Sequence, residues 1–321
     1  MKRANRWAAL LLGAFVSVAS AQNWPDRPVK LLLSQPAGSG PDTVARILAE
    51  RLGKVWNQSV VVDNRPGGQN VVGAAAAARS VPDGYTFYFA TTAALVTNVY
   101  LLKDMPYDPR KDFTPVAFIG KSPFAILVRA DSPIKSIEDL VAKAKAEPGK
   151  WTLANEGPKT FGGMIARLFA ARTKTDLNLV PYVNVGNALQ NTLGGHSDVL
   201  VADIAATAET VKQGQLRMLA VTSAQPVPGF ESVPPLASTL PGFDMVGWFA
   251  IVAPAGTPQP VIQRFVRDLD GVLRDKEVAE RIHAVGPMTE GAGTPEQLAA
   301  FLKSEHARWT VIAQEIGVLP E

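Results

Sequence analysis

The feature that most constrains the fold is a repeated alternation of short apolar runs with amphipathic segments. Near the N-terminus, the apolar run Val29–Leu33 is followed by a turn-rich loop and by Asp42–Leu52, whose apolar residues recur at helical spacing. The same order recurs at Val60–Val62 and Val71–Arg79, and a third apolar run covers Tyr85–Ala90. Short apolar runs joined through helices predict a parallel α/β sheet with helices on both faces.

A second set of the same units begins at Phe124. Strands and helices are predicted to alternate at Phe124–Val128, Ser136–Ala146, Trp151–Asn155, Phe161–Arg172, Leu177–Tyr182, Ala188–Leu193, Val199–Val201, Ala208–Gln213 and Leu216–Thr222. A Pro- and Gly-rich stretch then leads to the apolar run Gly247–Ala253 and to two helical segments, Val261–Arg274 and Glu296–Ile316. We therefore expect two α/β lobes, with the C-terminal helices returning to the first lobe.

The first 21 residues have the three parts of a secretory signal peptide. Met1–Arg6 is basic, Trp7–Val18 is apolar, and Ala19-Ser20-Ala21 provides a cleavage pattern of small residues. The apolar run is shorter than the roughly 20 residues that a transmembrane helix needs, so we expect cleavage after Ala21 rather than an uncleaved anchor. The mature protein is expected to be soluble and to reside in the periplasm.

Charge and composition argue against several classes of protein. The chain has 32 Lys+Arg against 29 Asp+Glu, and the surplus of three lies within Met1–Arg6. A nucleic-acid partner is not expected, because such a protein needs excess positive charge. Cysteine is absent and the three histidines show no metal-ligand spacing, so we expect no metal and no other cofactor. Phosphate-loop, dinucleotide and nucleophile-elbow motifs are also absent, and no catalytic residue is predicted.

The candidate binding residues lie in loops that join strand ends to helix starts. The loop Ser34–Pro41 contains two glycines and no Lys or Arg, and Pro41 stands near the first helical position. Backbone N–H groups at a helix start bind anions, and ligands of open α/β sheets bind at the carboxyl ends of strands. Further polar loops occur at Thr91-Thr92-Ala93, Glu156–Thr160 and Val183–Asn187. Ordinary solvated turns use the same residue types, so the residues alone leave both interpretations open.

Short blocks of sequence between Trp24 and the C-terminus resemble one known family. The blocks are Trp24-Pro25-Asp26-Arg27-Pro28-Val29, Asp42 with Ala45-Arg46, Val61-Val62-Asp63-Asn64-Arg65-Pro66-Gly67-Gly68, Pro82-Asp83-Gly84-Tyr85-Thr86, Pro106-Tyr107-Asp108-Pro109, Val180-Pro181-Tyr182, Leu216–Thr222 and Ala253–Pro258. They are similar to those of the Bug-type (TctC-type) periplasmic solute-binding receptors of tripartite tricarboxylate transporters. The resemblance implies an α/β fold with two lobes, the type II periplasmic-binding-protein (Venus flytrap) fold, with two hinge crossovers near Lys121–Phe124 and Met245–Phe249. After the signal peptide at 1–21, it implies a first lobe at 22–123 and 246–321, and a second lobe at 124–245.

The resemblance further implies a ligand site between the lobes. Family ligands are small organic acids, with one carboxylate held mainly by backbone amides and waters of the first-lobe loops. Carried over to this chain, the ligand-binding residues are Gln35, Ala37, Gly38, Ser39, Gly40, Thr91, Thr92, Asn155, Glu156, Gly157, Thr160, Tyr182, Asn184 and Asp203. The expected function is capture of a small organic acid by a monomer and its delivery to the membrane permease subunits of a tripartite tricarboxylate transporter. The alternatives are a ligand sensor that docks on a membrane histidine kinase and a periplasmic enzyme acting on a carboxylate.

The second-lobe loops depart from the family pattern. Val183-Asn184 stands where the family usually has Lys-Gly after the tyrosine, and Glu156 occupies a position that is commonly small and neutral. Two like charges ~4 Å apart repel by about 4 kcal/mol at an effective dielectric of 20, which disfavours a dianionic ligand unless Lys159 neutralises Glu156. We therefore expect a monocarboxylate, or a carboxylate whose far end is neutral, hydroxyl or amino.

Overall fold

A computed structural model describes residues 24–289 and 291–317 of the chain. The predicted signal peptide and its cleavage site lie outside the described residues. Within the described ranges, no helix combines the length and the apolar character needed to cross a bilayer.

The first third of the chain forms three parallel strands and their helices. Its elements are β1 (Val29–Leu33), α1 (Gly40–Trp56), β2 (Val60–Asn64), α2 (Val71–Ala78), β3 (Thr86–Thr91) and α3 (Asn98–Leu101). β1 pairs in parallel with both β2 and β3. Leu32 packs into one core cluster and its neighbours Leu31 and Leu33 into another, so β1 is buried on both faces. This explains why its sequence is a continuous apolar run rather than an alternating one.

The second lobe repeats the same strand–helix order. A long strand, β4 (Phe113–Arg129), leads into α4 (Ile137–Ala146), β5 (Thr152–Asn155), α5 (Phe161–Thr173), β6 (Asn178–Pro181), α6 (Val185–Leu193), β7 (Val199–Asp203), α7 (Ile204–Lys212) and β8 (Leu216–Val221). β5 pairs in parallel with β6 and β7. The chain then returns through β9 (Val246–Pro254).

The strands β4 and β9 connect the two sheets. β4 pairs with β9 as far as Pro123, and from Phe124 onward it pairs with β7 and β8. The strand orders are therefore β2-β1-β3-β9-β4 in the first lobe and β6-β5-β7-β4-β8 in the second. Each lobe places one antiparallel strand beside its third parallel strand, and the predicted two-lobed fold with two crossovers is confirmed. The domain boundaries at residues 123/124 and 245/246 stay a prediction.

Three helices end the described chain: α8 (Gln259–Arg274), α9 (Lys276–His283) and α10 (Pro295–Glu315). The sequence pattern missed α9, which begins where Asp275 accepts the Val278 N–H. α10 was expected to return to the first lobe, but its 21 residues span about 30 Å and contact both lobes. Trp309 packs against the Phe161 ring of α5, with the ring centroids 5.7 Å apart.

Differences between predicted and observed boundaries arise mainly at helix caps. α7 begins at Ile204, not Ala208, because the Asp203 carboxylate accepts the Ala206 N–H and starts the helix. α6 begins at Val185, not Ala188, because Asn184 has the same role there. The predicted strand Phe124–Val128 is the second half of β4. Polar cap residues interrupt an apolar pattern, so the pattern alone places these starts too late.

Candidate functional site

A cavity of about 590 Å³ lies between the two lobes, at the carboxyl ends of the parallel strands. Most of the predicted site residues line it: Gln35, Ser39, Thr91, Thr92, Glu156, Gly157, Thr160, Tyr182, Asn184 and Asp203. Ala37, Gly38, Gly40 and Asn155 are not part of the lining. Contact between the lining residues and a ligand stays a prediction.

The first-lobe loop binds a carboxylate of its own chain. The Gly38 N–H donates to Asp42 Oδ2 at 2.8 Å, and the same carboxyl group accepts from Arg46 Nε and Asn64 Nδ2, each at 2.9 Å. Burial favours the neutral form of Asp42, but the hydrogen bonds from Arg46, Gly38 and Asn64 outweigh it and lower the pKa. One N–H group of the predicted anion loop, that of Gly38, is therefore bound by Asp42, which lies in the first turn of α1 and complements its dipole.

The cap of α1 faces the cavity beside this internal ion pair. Ser39 Oγ accepts from the Asp42 N–H and donates to the Pro36 carbonyl at 2.8 Å. Gln35 Nε2 donates to Asn70 Oδ1 at 2.8 Å and to Thr91 Oγ1 at 3.3 Å. These bonds fix the orientation of the Gln35 amide and leave its buried Oε1 without a hydrogen-bond partner among the described residues.

Three helices of the second lobe also begin at the cavity. Their N-cap residues Thr160, Asn184 and Asp203 each accept the backbone N–H three residues later. Together with Ser39, they bring the positive ends of four helix dipoles to one cavity. Such a convergence attracts a negatively charged group.

The turn before α5 depends on two residues with different roles. Gly157 has φ +126°, a conformation that side-chain-bearing residues rarely adopt, and it lines the cavity. Asn155 lies outside the lining and positions this turn, because its Oδ1 accepts the Gly157 N–H at 3.0 Å. The Thr160 hydroxyl donates to the Gly157 carbonyl at 2.8 Å. Asn155 therefore supports Gly157, and its contact with a ligand stays a prediction.

Two carboxyl groups of the second lobe line the same cavity. Burial, with a smaller contribution from repulsion by Asp203, raises the pKa of Glu156 from 4.5 to about 7. Burial also raises the pKa of Asp203 from 3.8 to about 6. Lys159 is not part of the lining, and the neighbours that shift the pKa of Glu156 are Asp203, Gly162 and Thr160. The expected neutralisation of Glu156 by Lys159 stays a prediction.

The predicted ligand-binding residues do not include the whole lining. The loop after β2, together with residues of the two crossing strands, contributes Pro66, Gly67, Gly68, Gln69, Asn70, Ser122, Phe124, Gly247, Trp248 and Phe249. Gln69 Oε1 and Ser122 Oγ are buried without a partner among the described residues. The loop 66–70 follows a parallel strand, and this position alone could have predicted a place in the site. Ser122 and Trp248 line the cavity because the crossing strands β4 and β9 form one of its walls.

No group of three or more Asp, Glu or His side chains within the described ranges is arranged to hold a metal ion. The expected absence of a cofactor stays a prediction. A cavity enclosed by two α/β lobes and surrounded by helix N-termini defines the class of two-lobed solute-binding receptors.

Comparison with known proteins identifies the family. The family model described as "Tripartite tricarboxylate transporter family receptor" (TctC) matches residues 44–318, and the chain belongs to this family. A UPF0065 protein of Bordetella bronchiseptica is 34% identical over 313 residues, which cover 98% of this chain and 92% of that protein.

Two solved structures show the same fold. The R. palustris protein Rpa4515 with adipate has a TM-score of 0.89 and 29% identity, covering 93% of this chain and all of that one. The periplasmic binding protein BugD has a TM-score of 0.87 and 29% identity, with the same coverage. The resemblance predicted from the sequence is therefore confirmed.

Proposed function

We propose that this protein is a periplasmic receptor that captures a small organic acid between its lobes and delivers it to the membrane permease subunits of a tripartite tricarboxylate-type transporter. The observation that carries the proposal is the cavity at which the N-cap residues Ser39, Thr160, Asn184 and Asp203 converge. Helix N-termini bind carboxylates without a cationic side chain, and Lys, Arg and His are absent from the described lining.

The two lobes supply different parts of the cavity, so a bound ligand stabilises the closed arrangement. Gly40 at the start of α1 lies directly against Asp203 and Ala205 at the start of α7. Lys212 Nζ of α7 also donates to the Ala284 carbonyl, which follows α9, at 2.6 Å. A ligand that contacts both lobes favours this closed population over an open one.

The comparisons support both the ligand class and the compartment. The R. palustris structure contains adipate, a carboxylate, and BugD is described as a periplasmic binding protein. The family description names a receptor of a transporter, which supports delivery rather than chemical conversion of the ligand. The N-terminal signal pattern at residues 1–21 supports export.

A thermal-shift screen of straight-chain C3 to C6 acids tests the capture step. The acids should carry methyl, hydroxyl, amino or carboxyl ends. A binding acid at 100 times its Kd adds about 2.7 kcal/mol of stability, which is visible as a raised Tm. Thr160→Ala should reduce this shift, whereas Thr294→Ala, which removes the cap of α10 away from the cavity, should leave it unchanged. Failure of every acid to raise the Tm would refute the proposal.

Uptake measurements test the delivery step. Cells that lack this protein should lose uptake of the acid found in the screen and regain it with the wild-type gene. If uptake persists and only the transcriptional response to the acid is lost, the sensor alternative replaces transport.

A further inference from the structure

The charge of the cavity is concentrated in one place. Glu156 and Asp203 both belong to the second lobe, and neither Lys, Arg nor His occurs in the described lining. Glu156 follows β5 and Asp203 ends β7, so the two acidic side chains approach the cavity from adjacent strands. An organic acid that enters this cavity meets two carboxyl groups and no cationic side chain of the described lining.

Helix capping does not require these charges. Ser39, Thr160 and Asn184 cap three helices at the same cavity with neutral side chains. Asp203 makes the same type of capping hydrogen bond with one oxygen only: its Oδ1 accepts the Ala206 N–H at 2.9 Å. Glu156 is not an N-cap residue, but its Oε1 accepts the N–H of Gly162 in the first turn of α5, at 3.3 Å. A neutral amide oxygen accepts the same hydrogen bonds, so asparagine at position 203 and glutamine at position 156 would keep these contacts without the charges.

Two carboxylates with no cationic side chain in the described lining of their cavity are costly. Burial disfavours both charged forms, and the two groups repel each other. A positively charged group placed between them would replace the repulsion by attraction and would offset the cost of burial for both carboxylates.

Other atoms of the cavity also lack donors. The buried Oε1 atoms of Gln35 and Gln69 have no partner among the described residues, and the bonds made by Gln35 Nε2 identify its Oε1 as the free acceptor. A ligand nitrogen that carries several N–H groups matches a cavity rich in acceptors, whereas a second carboxylate does not.

We propose that the ligand carries a protonated amino group in addition to its carboxylate, with the carboxylate at the helix N-termini and the ammonium held by Glu156 and Asp203. The class is therefore a small zwitterionic amino acid. This inference rests on the proposed function, because it concerns the same cavity and assumes that the cavity binds organic acids.

Isothermal titration with four acids of equal chain length tests the inference. The probes are 6-aminohexanoate, 6-hydroxyhexanoate, hexanoate and adipate, with the corresponding C4 set and two α-amino acids as a second series. We expect an amino compound to bind at least tenfold more tightly than its hydroxyl, methyl and carboxyl counterparts at pH 7.5. A trimethylammonium analogue should bind more weakly than the primary amine, because it cannot donate hydrogen bonds.

Variants separate the charge from the shape of the site. Glu156→Gln and Asp203→Asn keep the size of each side chain, and asparagine keeps the cap of α7. Each should reduce the preference for the amine over the methyl compound by tenfold or more. Glu209→Gln on the exposed face of α7, and Asp275→Asn at the cap of α9, are the matched controls and should keep the preference.

The outcomes distinguish the two proposals. If adipate binds most tightly and both variants leave its affinity unchanged, the zwitterion inference is wrong and the organic-acid receptor stands. If none of the acids, with or without an amine, binds to the wild-type protein, both fail. An amine preference that survives in Glu156→Gln and Asp203→Asn also overturns the inference, because the selectivity then comes from other atoms.

Discussion

A side chain at Gly40 should hold the cleft open. A Cβ atom there would lie 2.1 Å from Asp203 Oδ1 and 2.6 Å from Ala205 Cβ, far inside ordinary contact distance. The Asp203 carboxylate cannot easily turn away, because it accepts the Ala206 N–H, and Ala205 belongs to the rigid start of α7. Gly40→Ala therefore forces the two lobes apart by more than about an ångström, and overpacking of this size costs about 1–3 kcal/mol.

The cost falls on the closed state alone, so it appears as lost affinity. At 1.4 kcal/mol per tenfold change, the Kd of the best acid should rise about 5- to 150-fold. The stability of the unliganded protein should not fall, because alanine is the better helix former. Titration calorimetry measures the Kd, and small-angle scattering measures whether the liganded variant stays more expanded than the wild type.

Gly271→Ala is the matched control. Gly271 lies within α8, and a Cβ there would meet nothing within 4 Å. It should gain helix stability and bind the acid as the wild type does. A Gly40→Ala variant that binds within twofold of wild type would show that this contact does not limit closure.

Three further predictions concern residues that line the cavity or pack against its lining. Burial raises the pKa of Glu156 to about 7, so the folded state favours the neutral carboxyl group. The free energy of unfolding should therefore fall as the pH rises from about 4.5, the pKa in the unfolded chain, through about 7. Glu156→Gln removes this loss, so its effect on the free energy of unfolding should be more favourable at pH 8 than at pH 4 by up to about 3 kcal/mol. Urea unfolding of the unliganded protein measures this difference, and an effect independent of pH contradicts the prediction. Binding of a zwitterion at pH 6.5 should release about one proton to the buffer. Glu156 and Asp203, with pKa values of about 7 and about 6, together hold about one proton at this pH, and the nearby ammonium favours their ionised forms. Calorimetry in buffers of different ionisation enthalpy measures the release, and proton uptake would contradict this prediction. Gly73→Ala places a Cβ 2.4 Å from Ser34 Oγ and 2.9 Å from its Cα, which should destabilise the protein by about 1–3 kcal/mol, and an unchanged urea midpoint would argue against that close packing.

The sequence predicted those elements of secondary structure whose apolar pattern was local and clear, although it missed α9. The continuous run at β1 and the helical spacing in α1 depend on burial of their own side chains, and both elements were located from that pattern. β4 was different. Its first half pairs with β9, more than a hundred residues away along the chain, and its second half with β7 and β8, so its full length depends on partners that no local pattern identifies.

The predicted anion loop shows a similar limit at the site. The residue types around Gly38 favoured an anion near the start of α1, and a carboxylate is indeed bound there, but it belongs to Asp42. Sequence alone does not distinguish a ligand carboxylate from one four residues along the chain, because both satisfy the same backbone N–H group. Which residues remain available for a ligand depends on which ones the fold has already paired.

The sequence itself determined the alternation of apolar runs with helices, the loops at strand ends and the motifs of the family, because each of these depends on neighbours along the chain. Tertiary structure alone decided that Glu156 and Asp203 share one cavity without a described cationic side chain in its lining, and that Gly40 touches the opposite lobe. The physical reason is that electrostatic and steric energies depend on distances in space, and these arise only when two crossing strands bring the lobes together.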